Sequence, residues 1–162
     1  MNINFQDSAK PIIKPYSFAQ RVNPRSFDIE MFIKRINPKI TIRTPYDNPA
    51  YVWGTDTIEI QDIRFYNSAA LYYKTFFHEL IHFTGNRNRL NRSIAGHPDN
   101  NQKEETVAEL GAYLLCVCFG FGTTIYDYSY NYIRQHGKEE WIEECTRKAN
   151  KAIKYLVSLV AL

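Results

Sequence analysis

Residues 76–90, FFHELIHFTGNRNRL, contain His78 and His82 four positions apart, with Glu79 directly after the first. On an α-helix, residues four apart project from one face, so both imidazoles can bind one metal ion at about 2.0–2.1 Å. Glu79 lies at the edge of that face, where it can reach a water molecule beside the metal. The spacing predicts two metal ligands and a general base. The alternative is that the histidines are ordinary, partly buried residues of an amphipathic helix.

Two kinds of periodicity divide the chain. A short helix over 26–36 is followed by alternating runs that predict strands over 39–44, 50–54 and 55–61, the last two antiparallel. Helical spacing then predicts helices over 69–84, 103–119, 126–135 and 138–160. This order predicts an α+β fold, in which a small, mostly antiparallel sheet packs against the histidine-bearing helix and further C-terminal helices.

The sequence also predicts where some of these helices begin or end and which side chains they bury. Ser68 is the predicted N-cap of the histidine-bearing helix, and Gly85 is predicted to end it. The first helix is predicted to start after Ser26. Its predicted inward residues are Phe27, Met31 and Phe32. The last helix is predicted to bury one stripe of side chains: Trp141, Cys145, Ala149, Ala152, Leu156 and Val160.

Length and composition predict one domain. The 162 residues suit a single domain over residues 26–162, after an irregular, proline-containing arm over 1–25. The net charge of +3 is too small to imply a nucleic-acid partner by itself. The N-terminus lacks the features of a signal peptide, and the cysteines are interpreted as buried, reduced thiols. We therefore expect a cytoplasmic protein with no membrane association.

A catalytic zinc ion requires a third protein ligand and a position left for water. His97 lies far beyond His82 without a compact connecting loop, Asp99 lies in a turn, and His136 is better explained as the end of a helix. Glu105 fits best, because it lies on the next predicted helix. The segment 83–104 is long enough to bring that helix alongside the first.

Other side chains around this site have several interpretations. Glu109, one turn after Glu105, is expected to accept the outer ring N–H of a ligating histidine, or else to lie on a solvated helix face. Glu104 is expected at the surface. The hydroxyl that stabilises an oxyanion is left open among the tyrosines of the next segment: Tyr126, Tyr128, Tyr130 and Tyr132.

The loop after the histidines carries Arg87, Arg89 and Arg92. These arginines either form a solvated loop over Leu90 or line the cleft, where they could hold an acidic peptide or a phosphate backbone. The second interpretation would make nucleic acid a partner.

Four blocks resemble, in order, the zincin-like metallopeptidase domain of ArdC-type antirestriction proteins and of phage or plasmid polyvalent proteins. The blocks are AYVWGTDTIEI, HELIHFTGNRNRLNR, EETVAELGAYLLC and YIRQHGKEEWIEECTRKANKAIKYL. The resemblance covers about residues 28–160. Two differences stand out: Phe83 occupies a position where the family often has Trp, and 162 residues leave no room for the separate single-stranded-DNA-binding domain that members often carry.

The resemblance implies a zinc ion bound by His78, His82 and Glu105, with Glu79 as the catalytic base. The run from Glu105 to Glu109 is also similar to the third-ligand helix of gluzincins and of the ImmA/IrrE repressor-cleaving group.

Three functions are compatible with these expectations. The leading one is a zinc-dependent endopeptidase of mobile-element or phage-related origin, which binds a protein or peptide along the strand over 55–61 as a sheet edge. The second is a zinc-stabilised binding module that masks a host DNA-targeting enzyme without cleaving it. The third is a peptidase that acts near DNA through Arg87, Arg89 and Arg92.

Overall fold

The computed structural model describes residues 28–92 and 98–161. In chain order these contain α1 (Ile29–Ile36), β1 (Lys39–Arg43), β2 (Ala50–Val52), β3 (Thr57–Gln61), α2 (Ala69–Thr84), α3 (Pro98–Cys118), α4 (Gly122–His136) and α5 (Ile142–Val160). Short 3-10 turns lie at Ile63–Phe65 and Glu139–Trp141. This arrangement confirms the predicted α+β class. The predicted arm over 1–25, with Ser26 and Phe27, lies outside the described residues.

The three strands have the order β1-β3-β2. β3 is antiparallel to β2, as predicted for that pair, but parallel to β1, with Lys39 opposite Thr57 and Arg43 opposite Gln61. The sheet is therefore mixed rather than mostly antiparallel. Because β3 inserts between the other two strands, the strand predicted as the sheet edge is central, and its Ile58 is fully buried. The edge that contacts α2 is β2.

Helix α2 contacts β2, β3 and the three later helices. Its apolar face supplies much of the core through Phe76, Phe77, Leu80 and Ile81. Helix α3 approaches closely at Gly111, where an added Cβ would lie 2.7 Å from Ile81 Cδ1. This close approach brings the histidines of α2 next to the acidic residues of α3.

The ends of α2 follow the predicted boundaries. Ser68 Oγ accepts a hydrogen bond from the Leu71 N–H at 3.2 Å and caps the first turn. Gly85 ends the helix with a right-handed φ of −77°, so it is not required for a left-handed conformation. Helix α3 begins at Pro98, before the predicted start at residue 103, because its polar first turn hides the helical period and proline suits a first helical position.

The predicted core faces are mostly correct. All six residues of the predicted α5 stripe are buried, whereas Met31 of α1 is 46% exposed and was wrongly assigned to the core. Phe32 and Ile36 are the buried residues of α1, and Asp28 caps it. Each helix in the described part of the chain is too short or too polar to cross a membrane.

Candidate metal centre

Helix α2 presents two histidines toward α3. The ring centroids of His78 and His82 are 5.0 Å apart, as a spacing of one helical turn requires. Their side chains are 13% and 8% exposed, so the ring nitrogens need polar partners within the protein. Those partners are carboxylates of α3.

Glu105 of α3 faces both rings. Its Oε2 lies 3.1 Å from His78 Nε2, and its Oε1 lies 3.4 Å from His82 Nε2. One potential ligand atom from each of the three side chains lies within 4.8 Å of the other two. Two imidazole nitrogens and one carboxylate oxygen form a donor set that suits a divalent cation such as Zn²⁺. The structure thus brings together the three residues that the sequence proposed as ligands.

Glu109 backs the outer nitrogen of His78. Its Oε2 lies 3.1 Å from His78 Nδ1, and its side chain is fully buried. Lys74 Nζ lies 2.8 Å from Glu109 Oε1, so a cation compensates the buried carboxylate. The sequence reasoning missed Lys74, although its position one turn before His78 places it on the same helix face.

Glu104 is buried, contrary to the prediction that it lies at the surface. Its side chain is 5% exposed, and its Oε1 lies 3.2 Å from His82 Nδ1. Arg92 donates to its two oxygens at 2.9 and 2.8 Å. The prediction was wrong because protein surrounds α3 on more than one side, so consecutive residues of this helix can both be buried.

These contacts shift the pKa values of the cluster. Burial alone would lower the pKa of His82, but hydrogen bonds with Glu104 and Glu105 outweigh it and raise the pKa to about 9. Burial would raise the pKa of Glu109, but the contact with His78 and the charge of Lys74 lower it to about 2. The pKa of Glu105 is lowered by both histidines against the effect of its burial. The carboxylates are therefore ionised at neutral pH and can attract a cation.

Glu79 is held by the sheet. Its Oε2 accepts a hydrogen bond from the main-chain N–H of Tyr51 in β2 at 2.7 Å, and the residue is 7% exposed. Because the donor is a main-chain group, the identity of residue 51 could not have predicted this contact with Glu79. The contact fixes the carboxylate of Glu79 relative to the sheet edge.

A cavity of about 200 Å³ lies against the cluster. One wall comes from the segment around β2, and the other walls come from α2 and α3. Its lining residues are Pro49, Ala50, Tyr51, Trp53, His78, Glu79, His82, Asn101, Glu104 and Glu105. The cavity therefore joins the potential ligands, Glu79 and one sheet edge.

Tyr132 of α4 reaches the cluster. Its hydroxyl donates to Glu105 Oε2 at 3.2 Å, and its ring centroid lies 6.0 Å from that of His78. Burial and the negative charge of Glu105 raise the pKa of Tyr132, so its hydroxyl stays protonated at neutral pH. Tyr128 is 56% exposed.

Two of the three loop arginines are engaged within the protein. Arg89 donates to both carboxylate oxygens of Asp56, at 2.9 and 2.6 Å, and lies over the ring of Phe83. The side chains of Arg89 and Arg92 are only 13% and 9% exposed, whereas Arg87 is exposed. Arg89 and Arg92 therefore attach the loop to the rest of the domain.

Of the other candidates for a metal ligand, His136 is the last residue of α4, and His97 lies outside the described residues.

Comparisons with known proteins support the predicted family and fold. A family model described as a zincin-like metallopeptidase, MPTase-PolyVal, matches residues 28–154. The antirestriction protein ArdC of plasmid R388 has a similar structure in two solved forms. The Mn(II)-bound form is 27% identical with a TM-score of 0.65 over 83% of this chain, and the metal-free form is 27% identical with a TM-score of 0.62 over 82%.

A further similarity is to the DNA primase TraC of Escherichia coli, which is 39% identical over 80 residues, or 48% of this chain. The chain spans 53% and 50% of the two ArdC structures and 7% of the primase. The matched family and the Mn(II)-bound relative indicate that the chain binds a divalent metal ion.

Proposed function

The chain belongs to the zincin-like metallopeptidase family, and from that premise we propose that it is a zinc-dependent peptidase acting on a protein or peptide substrate. One observation carries the proposal. His78, His82 and Glu105 converge beside a cavity that Glu79 also lines. We also propose that residues 26–162 form one such domain.

We assign the metal ligands to His78, His82 and Glu105, with the two histidines binding through Nε2. This mixed nitrogen and carboxylate set favours zinc, and the relationship to a Mn(II)-bound protein supports a divalent cation in general. When bound there, zinc would supply Lewis-acid polarisation of a carbonyl group and promote the ionisation of water at neutral pH.

Glu79 is the proposed general base. It would accept a proton from a water molecule in the cavity and later deliver that proton to the leaving amine. The hydrogen bond from the Tyr51 N–H supports this role, because it orients the carboxylate before substrate arrives. Tyr132 is the proposed donor to the oxyanion, since its protonated hydroxyl already reaches Glu105.

An extended substrate would bind along β2. The sequence assigned this role to the strand that proved to be central, whereas Ala50 and Tyr51 of β2 line the cavity. The N–H of Tyr51 points to Glu79 and therefore away from β3. A peptide beside this edge would lie next to both Glu79 and the proposed ligands.

The test combines metal analysis with Glu79→Gln. We expect about one zinc per chain in both proteins, because Glu79 is not a proposed ligand. With peptides from a digested bacterial proteome as substrates, Glu79→Gln should slow cleavage at least about 100-fold, the lower range for losing a general base. Cleavage that continues unchanged in Glu79→Gln would show that the mechanism is wrong.

A second candidate is an antirestriction module that binds a host enzyme without cleaving it. The similarity to ArdC favours it, because both matched structures are of an antirestriction protein. Protection of incoming DNA in restricting cells separates the two functions. The binding module predicts full protection with Glu79→Gln and none with His78→Ala, whereas the peptidase predicts loss of protection in both.

A DNA-associated peptidase has weaker support. The similarity to a primase is consistent with it, but Arg89 and Arg92 are engaged with Asp56 and Glu104. Titration of a labelled single-stranded oligonucleotide at several salt concentrations is the relevant measurement. Absence of binding at low salt would exclude this function for the chain.

A further inference from the structure

The two ring nitrogens of His82 have different surroundings. Nε2 faces Glu105 at 3.4 Å, and Nδ1 faces Glu104 Oε1 at 3.2 Å. In the neutral ring, a carboxylate beside Nδ1 keeps the single proton on that nitrogen and leaves the lone pair of Nε2 for a metal ion. The contact with Glu104 therefore selects the nitrogen that can act as a ligand.

Glu104 depends in turn on Arg92. The guanidinium donates through Nε to Oε2 at 2.9 Å and through Nη2 to Oε1 at 2.8 Å, a two-pronged contact that fixes the carboxylate. Arg92 also donates to Thr84 Oγ1 at 2.8 Å and to the Ile81 carbonyl at 2.6 Å. It thereby joins the end of α2 to the helix that carries Glu104.

The other histidine has an equivalent pair behind it, since His78 Nδ1 faces Glu109 and Glu109 contacts Lys74. Each ring is thus backed by one buried carboxylate and one cation whose charges cancel. In the part of the chain that the structure describes, no Lys or Arg pairs in this way with Glu79 or Glu105, the other two acidic residues that line the cavity.

We propose that Arg92 and Glu104 form a positioning pair that prepares His82 to bind metal through Nε2. Glu104 fixes the tautomer and orientation of the ring, and Arg92 acts by holding the Glu104 carboxylate in place through two hydrogen bonds. This inference rests on the ligand set of the proposed function. It adds a requirement for two residues that need not touch either metal or substrate.

The test measures Zn²⁺ affinity of the full chain by competition with a chromophoric chelator. Arg92→Met combined with Glu104→Met removes the pair without leaving an unpaired buried charge, and should weaken zinc binding about 10–100-fold. Arg92→Met combined with Glu104→Gln returns an acceptor oxygen to His82 Nδ1. It should recover at least about threefold of that loss.

A matched control removes another ion pair that involves α3. Lys103 Nζ lies 2.9 Å from Glu144 Oε2, with side chains 26% and 37% exposed. Lys103→Met combined with Glu144→Met should leave zinc affinity within about twofold of the parent. Urea unfolding of the metal-free proteins should give similar stabilities for the two Arg92 double variants, so that packing cannot explain a difference in their affinities.

The outcomes separate this inference from the proposed function. Zinc binding by the parent with unchanged affinity in both Arg92 double variants would overturn the positioning pair alone. A parent that binds no zinc would overturn the ligand set and the pair together. If circular dichroism shows that the variant with Arg92→Met and Glu104→Met is unfolded, the two single variants Glu104→Gln and Arg92→Lys are measured in its place. Weaker zinc binding in those folded variants supports the pair, whereas unchanged affinity or failure of both to fold overturns it.

Discussion

Gly85 lies where the end of α2, Trp53 and Arg92 meet. A Cβ added at this position would lie 2.8 Å from Arg92 Nη2 and 3.0 Å from Trp53 Cη2. Because the Arg92 guanidinium is held by Thr84 and Glu104, it cannot move aside freely. We expect Gly85→Ala to lower the free energy of unfolding by about 1–3 kcal/mol, as overpacking does elsewhere. Urea unfolding of the metal-free chain measures the effect.

Gly54→Ala is the control for this substitution. A Cβ at Gly54 would have no atom within 4 Å, and its φ is not in the left-handed region. We therefore expect a change within about 0.5 kcal/mol, as at other unconstrained surface positions. An equal loss in both variants would contradict the explanation by close approach.

Glu105 can be tested separately from the residues behind the histidines. Glu105→Gln removes the charged carboxylate that faces both Nε2 atoms. Loss of a group that only supports a metal ligand weakens metal binding by up to about 100-fold, so loss of a ligand itself should weaken zinc binding by more than that. Competition with a chromophoric chelator measures the loss. Glu144→Gln, the same change in a surface ion pair, should have no effect. A small loss with Glu105→Gln would argue for a different third ligand.

The sequence predicted those side chains whose proximity follows from spacing along one helix. The proximity of His78, Glu79 and His82 follows from helical geometry alone. Glu105 was proposed because a catalytic zinc needs a third ligand, and the structure places it beside both rings. Glu104 was misplaced because its burial depends on how α3 packs against its neighbours. Tyr51 was missed because it contributes a main-chain N–H, which every non-proline residue carries.

The turn between β2 and β3 is hydrogen-bonded to the loop after α2. Asp56 adopts a left-handed φ of 52° in this turn and accepts hydrogen bonds from Tyr51 Oη and Arg89. Asn86 donates to the same Tyr51 hydroxyl at 2.7 Å. These contacts hold the edge strand β2 beside the cavity.

The Asp56 contact makes a prediction about pH. Hydrogen bonds from Arg89 lower the pKa of Asp56 below its ordinary value of 3.8. A carboxyl group with a lowered folded-state pKa stabilises the fold above its unfolded pKa, and this stabilisation is lost as pH falls through the folded value. Since Asp56 is 42% exposed, solvent limits the effect. Asp56→Asn should therefore cost about 1 kcal/mol at pH 7.

The measurement is urea unfolding of metal-free Asp56→Asn and its parent from pH 7 to pH 2. Their difference in stability should shrink steadily below about pH 4, where Asp56 becomes protonated in the unfolded chain. Asparagine tolerates a left-handed φ, so the backbone is not the cause. Asp62→Asn is the control. Its partner Arg64 is 81% exposed, against 13% for Arg89, so the Asp62 pair should contribute less and show a smaller difference. A difference for Asp56→Asn that is independent of pH would contradict the ionic explanation.

The order of the strands could not be predicted from their alternation. Alternation shows that Ile58 and Ile60 share a face, but not which strands lie on either side of them. The parallel pairing of β1 with β3 joins segments separated by all of β2, and nothing local specifies it. The antiparallel pair was predictable because β2 and β3 are joined by a short turn around Gly54 and Asp56.

The proposed metal site joins elements that are distant in the chain. α2 supplies both histidines, α3 supplies Glu105, and β2 fixes Glu79 through Tyr51. The family blocks identified in the sequence correspond to these elements. They include the arginine-containing loop, whose Arg89 and Arg92 fasten the parts together. A ligand at this junction should therefore stabilise the domain as a whole.

Metal removal tests this last expectation. A cation that binds the folded chain but not the unfolded chain stabilises the fold by about 2.7 kcal/mol when its free concentration is 100 times its Kd. For a domain of this size that corresponds to roughly 5–10 °C in Tm. We expect chelation to lower Tm by that amount and added zinc to restore it. His82→Ala should abolish the dependence on zinc, because it removes a ligand. Glu79→Gln should preserve it, and loss of the zinc-dependent shift in that variant would make Glu79 a ligand rather than the base.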